Sequence, residues 1–255
     1  MKIHFLGTGT SQGVPVIGCH CPVCQSTNEK DKRLRTSVML EWNDVRYVID
    51  CGPDFRTQML QENVETIDGI LFTHEHADHI AGLDDIRPLY FRAKKPMPIY
   101  GLPRVINDLK RRFEYIFTTE NRYPGAPEVA VHLLEPHQKI VLGGKTVEAL
   151  PVLHGQLPIL GYKIENLAYI TDAKTLPDST IEALKNLDLL VINALHHRPH
   201  KTHLNLEEAL ALISRLQPKQ AILTHMSHHM GLHEDIDKTL PKHVSLAYDG
   251  LCVEL

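Results

Sequence analysis

The densest chemistry in the chain is Thr73-His74-Glu75-His76-Ala77-Asp78-His79, an H-x-H-x-D-H cluster directly behind the apolar run Gly69-Ile70-Leu71-Phe72. It sets four metal-ligating side chains within six residues, all of types that suit a borderline divalent ion. A short turn leaving a buried strand aims His74 and His76 at one ion and Asp78 and His79 at a second. The motif therefore predicts a two-metal site. Zinc, manganese and iron all suit such donors, so residue type does not choose among them.

A half-site needs completion, and three further donors occupy one recurrent position, the residue at or just past the end of an apolar strand. His154 follows residues 146–153 and precedes Gly155, Asp172 follows 168–171, and His225 follows Ala221-Ile222-Leu223-Thr224. That repetition predicts convergence on one site. Water shared by two cations about 3.5–4 Å apart loses a proton near neutral pH, while the cations neutralise charge on a phosphoryl or carbonyl oxygen. Hydrolysis is the expected reaction. A phosphodiester gains most, because both its attacking and leaving oxygens develop charge.

A second cluster is built from thiols. Three of the five cysteines crowd into Cys19-His20-Cys21-Pro22-Val23-Cys24, while Cys51 and Cys252 stand apart. An odd count argues against a disulfide framework, and close-set thiols in a reducing compartment read as metal ligands. A closed tetrahedral zinc site needs a fourth donor, and His228, three residues after His225, is the best placed. Cys19, Cys21, Cys24 and His228 are thus expected to hold one structural zinc. Two weaker phosphate-binding candidates are the Gly7-Thr8-Gly9 loop and the pair Arg33 and Arg35, whose alternative reading is structural pairing.

These residues have to be positioned by regular elements. Period-two patterning and turn residues predict strands at 2–6, 37–42, 45–50, 69–73, 98–101, 129–134, 139–141, 146–153, 159–164, 168–171, 189–193, 220–224, 244–247 and 252–254. Asn43-Asp44 reads as a hairpin turn. Helical periodicity falls at 55–61, 78–86, 104–112, 179–186, 206–216 and 233–240. The order runs strand-rich then βα, and does so twice. Two sheets packed face to face with helices on both outer sides satisfy it, an α/β class. Residues 117–127 read as a surface loop, with a lid over the site as the second reading.

The 255 residues are 43% hydrophobic and 23% charged, enough to bury a large core without staples. The net charge of −4 offers no basic field for gripping long nucleic acid. No stretch approaches the roughly 18–20 apolar residues of a membrane span, and Met1-Lys2-Ile3-His4-Phe5-Leu6-Gly7 lacks the pattern of a signal peptide. The expectation is a cytoplasmic protein with a small anionic substrate and no membrane partner.

Taken together, the H-x-H-x-D-H motif with His154, Asp172 and His225 resembles the metallo-β-lactamase superfamily over essentially the whole chain. The resemblance implies a four-layer αββα sandwich with the cluster at one edge of its sheets. It implies His74, His76 and His154 at one metal, Asp78, His79 and His225 at the other, and Asp172 bridging them. Asp50 in Tyr47-Val48-Ile49-Asp50 matches the superfamily's strand-end aspartate, which supports a ligand. Capping a helix before Pro53 is its other reading.

Gly18-Cys19-His20-Cys21-Pro22-Val23-Cys24, Thr224-His225-Met226-Ser227-His228 and Leu6-Gly7-Thr8-Gly9-Thr10 resemble the PhnP family of phosphodiesterases within that superfamily. This implies a structural zinc on the three cysteines and His228, one domain over 1–255 with a zinc-binding loop insertion at about 18–25, and a homodimer. It also implies a histidine between the bridging aspartate and the last ligand that assists catalysis. His203 matches that place, as general acid to the leaving oxygen or as a phosphate contact, with His196, His197 and His200 as nearby competitors. His203 and Asp78 are the expected catalytic side chains. The implied activity is hydrolysis of a small sugar or nucleotide phosphodiester, cyclic ones included. A tRNase Z-like RNA-processing phosphodiesterase and a PqqB-like carrier or oxidative protein are the alternatives; the charge balance weighs against the first and the intact ligand set against the second.

Overall fold

Apolar side chains alternate along the N-terminal strands, and the two alternating sets enter different cores. In the computed structural model, which describes residues 1–255, β1 (Lys2–Gly7), β2 (Ser37–Trp42) and β3 (Val45–Ile49) send Ile3, Phe5, Val38, Leu40, Trp42, Tyr47 and Ile49 into a core of 45 buried residues. Leu6, Met39 and Val48, of the opposite parity, enter a second core of 19 residues. A strand exposes successive side chains on opposite faces, so this pattern demands a sheet covered on both sides.

The remaining strands are β4 (Gly69–Leu71), β5 (Met97–Gly101), β6 (Val129–Leu133), β7 (Lys139–Leu142), β8 (Lys145–His154), β9 (Leu157–Ile164), β10 (Leu167–Ile170), β11 (Leu189–Asn193), β12 (Gln220–Thr224), β13 (Val244–Leu246) and β14 (Cys252–Glu254). They form two seven-stranded sheets, in the orders β14-β1-β2-β3-β4-β5-β6 and β13-β12-β11-β10-β9-β8-β7. Each sheet pairs antiparallel strands first and parallel strands after, from β3 to β6 and from β10 to β13. At the β2–β3 turn both Asn43 and Asp44 have positive φ, 48° and 62°, as a tight primed hairpin turn requires.

Helices α1 (Phe55–Gln61), α2 (Ala77–Ile80), α3 (Arg87–Ala93), α4 (Pro103–Arg112) and α5 (Glu114–Phe117) supply Phe55, Met59, Ile80, Leu89, Val105, Leu109 and Ile116 to the smaller core. On the far side, α6 (Asp178–Ala183) and α7 (Leu206–Leu216) pack Ile181, Leu206, Ala209 and Ile213 against the second sheet; α8 (His233–Asp237) follows β12. The layers are helices, sheet, sheet, helices, which is the expected αββα sandwich. No helix is long and apolar enough to cross a membrane.

Two departures have identifiable causes. The helix expected over 78–86 is split into α2 and a 3-10 turn at Leu83–Ile86, because the chain docks on a neighbour at Gly82: a Cβ there would lie 2.1 Å from the Gly52 carbonyl oxygen. Helix α3 carries no helical periodicity because Leu89 alone among its residues is buried. A loop expected over 117–127 runs over 118–128, because Phe117 closes α5. Its guanidinium contacts run from Arg122 to the Ala126 and Pro127 carbonyls and to Glu128, and from Arg87 to Gly125.

Candidate metal centres

The site grows from strand ends. Asp50 lies just past β3, His74 past β4, His154 at the end of β8, Asp172 past β10 and His225 past β12. Asp50, Asp172 and His225 all have left-handed backbones, with φ of 65°, 56° and 58°. Such a conformation is costly for a residue with a side chain, and Asp, Asn and His are the types that tolerate it best. It turns the chain abruptly off each strand, and it collects where these side chains meet.

Asp50 sits fully buried beneath the cluster and makes three contacts through its two carboxylate oxygens. Its Oδ1 accepts the Thr73 amide at 2.8 Å, and its Oδ2 accepts the Thr73 hydroxyl at 2.8 Å and faces His79 Nδ1 at 2.7 Å. Thr73 Oγ1 in turn lies 3.0 Å from His74 Nδ1. With the Thr73 proton given to Asp50, His74 donates its Nδ1–H to Thr73, so both His74 and His79 present Nε2 to the rim. The bonds show Asp50 orienting His74 and His79; α1 receives no side-chain cap. His154 is fixed in the same sense, its Nδ1 lying 2.9 Å from the Thr202 carbonyl oxygen.

The expected donors come together. The ligating atoms of His74, His76 and His154 lie within 4.8 Å of one another, as do those of Asp78, His79 and His225, and those of His74, His79 and Asp172. Asp172 stands between the sets, its Oδ2 3.2 Å from His79 Nε2 and its Oδ1 3.2 Å from His225 Nε2. His203 is buried beside them, its Nδ1 3.6 Å from Asp172 Oδ1 and its ring 4.6 Å from that of His154. His196, His197 and His200 belong to the adjacent loop, not to these groups.

Two observations test whether divalent cations fit. His79 Nε2 and both nitrogens of His225 are buried without a hydrogen-bond partner, although carboxylate oxygens are near. Buried polar atoms are otherwise almost always bonded, and lone pairs aimed at a shared point are what a cation requires. The charges agree. Burial disfavours protonated His79, yet Asp172, Asp78 and Asp50 outweigh it and push its pKa well above the usual histidine range. Burial alone would raise Asp172, but His225 and His79 hold it well below the ordinary carboxylate range. The carboxylates call for positive charge at this point, and divalent ions answer that call.

The thiol cluster fits zinc by its dimensions. Sγ of Cys19, Cys21 and Cys24 lie 3.3, 3.4 and 3.5 Å from His228 Nδ1. Tetrahedral bonds of about 2.3 Å to sulfur and about 2.0 Å to nitrogen put such atoms about 3.5 Å apart. The Cys24 amide donates to Cys21 Sγ at 3.4 Å and lowers that thiol to about 6. None of the five cysteines is paired with another.

Neither weaker phosphate candidate is free for that task. Arg33 is buried and donates to Thr8 Oγ1 at 2.8 Å and the Ala247 carbonyl at 2.7 Å, and Arg35 pairs with Asp54. The glycine loop is welded to the fold: a Cβ on Gly7 would lie 2.0 Å from the Arg35 carbonyl oxygen, and Thr8 O accepts the Met226 amide. Long-range packing absorbed these residues. Conversely, the Thr73 link between Asp50 and His74 carries no sequence signature beyond its place one residue before the motif.

Comparisons with known proteins agree with this geometry. The family model described as a beta-lactamase superfamily domain matches residues 45–226. A solved structure described as a new diphosphatase from the PhnP family superposes with a TM-score of 0.92 and 41% identity, over 99% of this chain and 96% of the other. An octanoyltransferase of Porphyromonas gingivalis is 41% identical over 253 residues, 98% of this chain and 51% of that protein. A ribonuclease Z of Methanococcus maripaludis is 26% identical over 196 residues, 74% of this chain and 54% of that protein. The chain thus spans about half the length of these curated relatives. Matched along more than half its length by the family model, and along nearly all of it by the solved relative, the chain belongs to the beta-lactamase superfamily and, within it, to the PhnP family.

Proposed function

We propose that this protein is a metal-dependent hydrolase that cleaves a phosphodiester or diphosphate bond in a small molecule. The observation that carries the reading is the convergence of seven imidazoles and carboxylates on one rim, with the Nε2 atoms of His79 and His225 buried and unbonded. In this reading His74, His76 and His154 hold one divalent ion, Asp78, His79 and His225 hold the other, and Asp172 serves both. Cations bound there supply a nucleophile from water near neutral pH and neutralise charge on the phosphoryl oxygens.

The chain's own residues do the rest. Asp50 holds two histidines, His79 directly and His74 through Thr73, in the tautomer that leaves Nε2 free. Asp78 is the less buried of the two rim carboxylates, 13% exposed against 3% for Asp172, and orients the attacking water. Burial and the neighbouring His225 hold His203 down to about 3, so its imidazole is neutral. It therefore serves best as an N–H donor to a phosphoryl oxygen, the phosphate contact of its two expected roles. We extend the proposal to one αββα unit over 1–255, with the loop at about 18–25 anchored by structural zinc, and to a homodimer, which light scattering measures.

Replacing Asp50 by Asn, which tolerates the same backbone, is expected to weaken metal retention about 10- to 100-fold in a chelator titration. Unchanged retention would remove Asp50 from the site.

RNA processing is the second reading, favoured by the ribonuclease Z relatives. The net charge of −4 and the structural employment of Arg33 and Arg35 weigh against a long RNA. The octanoyltransferase is about twice this length, and the match covers 51% of it. The test is turnover of bis(p-nitrophenyl) phosphate by the fully metallated protein, alongside linear and cyclic nucleotide phosphodiesters, a diphosphate and a lactone. Cleavage of the phosphoryl substrates is expected; inactivity on all of them, or cleavage of the lactone alone, would overturn the reading.

A further inference from the structure

The three ligands proposed for one ion come from two different sheets. His74 and His76 follow β4 of the first sheet, and His154 ends β8 of the second. Ring centroids stand 5.6 Å apart from His74 to His154 and 5.1 Å from His76 to His154. Whatever holds the turn of β8 and β9 against the motif therefore sets the width of this half of the rim.

A row of bonds along β9 does so. Tyr162 Oη donates to the Phe72 carbonyl at 2.7 Å, and two residues back along the strand the Leu160 amide donates to the Thr73 carbonyl at 3.0 Å. The next place in the row belongs to Pro158, which offers a carbonyl on that edge but no N–H. Arg104, the second residue of α4, fills the gap. Its Nη2 donates to the Pro158 carbonyl and its Nη1 to Glu75 Oε1, and Glu75 stands between His74 and His76. Pro158 in turn faces Leu153 across the β8–β9 pair, one residue before His154. One guanidinium thus joins the two segments that bear all three ligands, and its planar fork fixes both bonds together. Glu75 Oε2 is buried and bonded to nothing, so Arg104 is the carboxylate's single partner. The set Asp78, His79 and His225 is held by other means. Asp50 holds His79, and the Met226 amide beside His225 is tied to the Thr8 carbonyl.

We propose that Arg104 is a positioning residue for one ion of the pair: it fixes the spacing between His74, His76 and His154, so that its loss loosens the ion there and leaves the other in place. This role rests on the two-ion reading of the rim and makes the two ions unequal in their dependence on the fold. It acts at a distance from the ligating atoms, through Glu75 on one side and the β8–β9 turn on the other.

Metal retention resolved by position tests it. Crystals of the fully metallated protein and of R104Q are soaked in graded concentrations of EDTA, and anomalous peak heights are read at each place. In R104Q the peak among His74, His76 and His154 is expected to disappear at about tenfold less chelator than in the parent. The peak among Asp78, His79 and His225 and the zinc of the thiol cluster are expected to persist as in the parent. The melting temperature is expected to match as well, since the Arg104 side chain is 38% exposed. Rim ions that leave R104Q together, or that both stay as in the parent, overturn the role. A second variant approaches the bridge from its other end. E75A is expected to weaken the same ion, and E75A combined with R104Q to weaken it no further than R104Q alone. Losses that multiply in the combined variant would mean that the two side chains act separately, and would overturn the bridge. A parent crystal without metal at the rim overturns the two-ion reading itself, whereas parental rim peaks with unselective loss in R104Q overturn the role of Arg104 alone.

Discussion

Asp172→Asn is expected to lower kcat/KM on bis(p-nitrophenyl) phosphate by at least about a hundredfold, equivalent to about 2.7 kcal/mol of barrier, while the protein stays folded. Asn is the informative replacement, because Asp172 has a φ of 56° and Ala would add strain to the loss of charge. The side chain keeps its shape and the bond offered by Thr171 Oγ1, which reaches Asp172 Oδ2 at 2.8 Å. What disappears is the negative charge that faces His79 and His225 from its two oxygens. Circular dichroism and zinc content at the thiol cluster are expected to match those of the parent protein. Parental activity in this variant would remove Asp172 from the centre of the site.

The second large effect is on stability. Cys21→Ser is expected to release one zinc per chain and to lower the melting temperature by about 10 °C or more, of which each kcal/mol accounts for about 2–4 °C in a protein this size. Cys19, Cys21 and Cys24 lie in the loop between β1 and β2, while His228 lies just past β12 of the other sheet. A metal there clips loops of both sheets together, next to His225. At low temperature some turnover is expected to survive, because the tie between Thr8 and Met226 remains. Turnover lost with the melting temperature and zinc content unchanged would contradict a structural role.

Much of this organisation is legible in the residues because it is local. Helix α7 is read to its boundaries from its apolar period alone, and the structure adds the Asn205/Glu208 capping box that starts it. The thiol cluster is legible because zinc demands a fourth donor and His228 stands at the right place in a strand-end loop. His154, Asp172 and His225 share a position that strand prediction alone reveals. What escapes is set by distant partners. The break at Gly82 follows from the approach of the Gly52 carbonyl, and the burial of Arg33 from contacts with Thr8, 25 residues away, and Ala247, 214 residues away. The grip of Asp50 on Thr73 and His79 likewise belongs to the folded rim. Proximity to a motif reveals which residues do chemistry; only the fold reveals which are already employed.

Two divalent ions at the H-x-H-x-D-H rim are what the proposed chemistry requires. An anomalous difference map at the metal absorption edges of crystals of the active protein tests that requirement directly. Two peaks are expected at the rim, one among His74, His76 and His154 and one among Asp78, His79 and His225, with Asp172 adjoining both, and a third, zinc, among Cys19, Cys21, Cys24 and His228. A fully active crystal with no metal peak at the rim would contradict it.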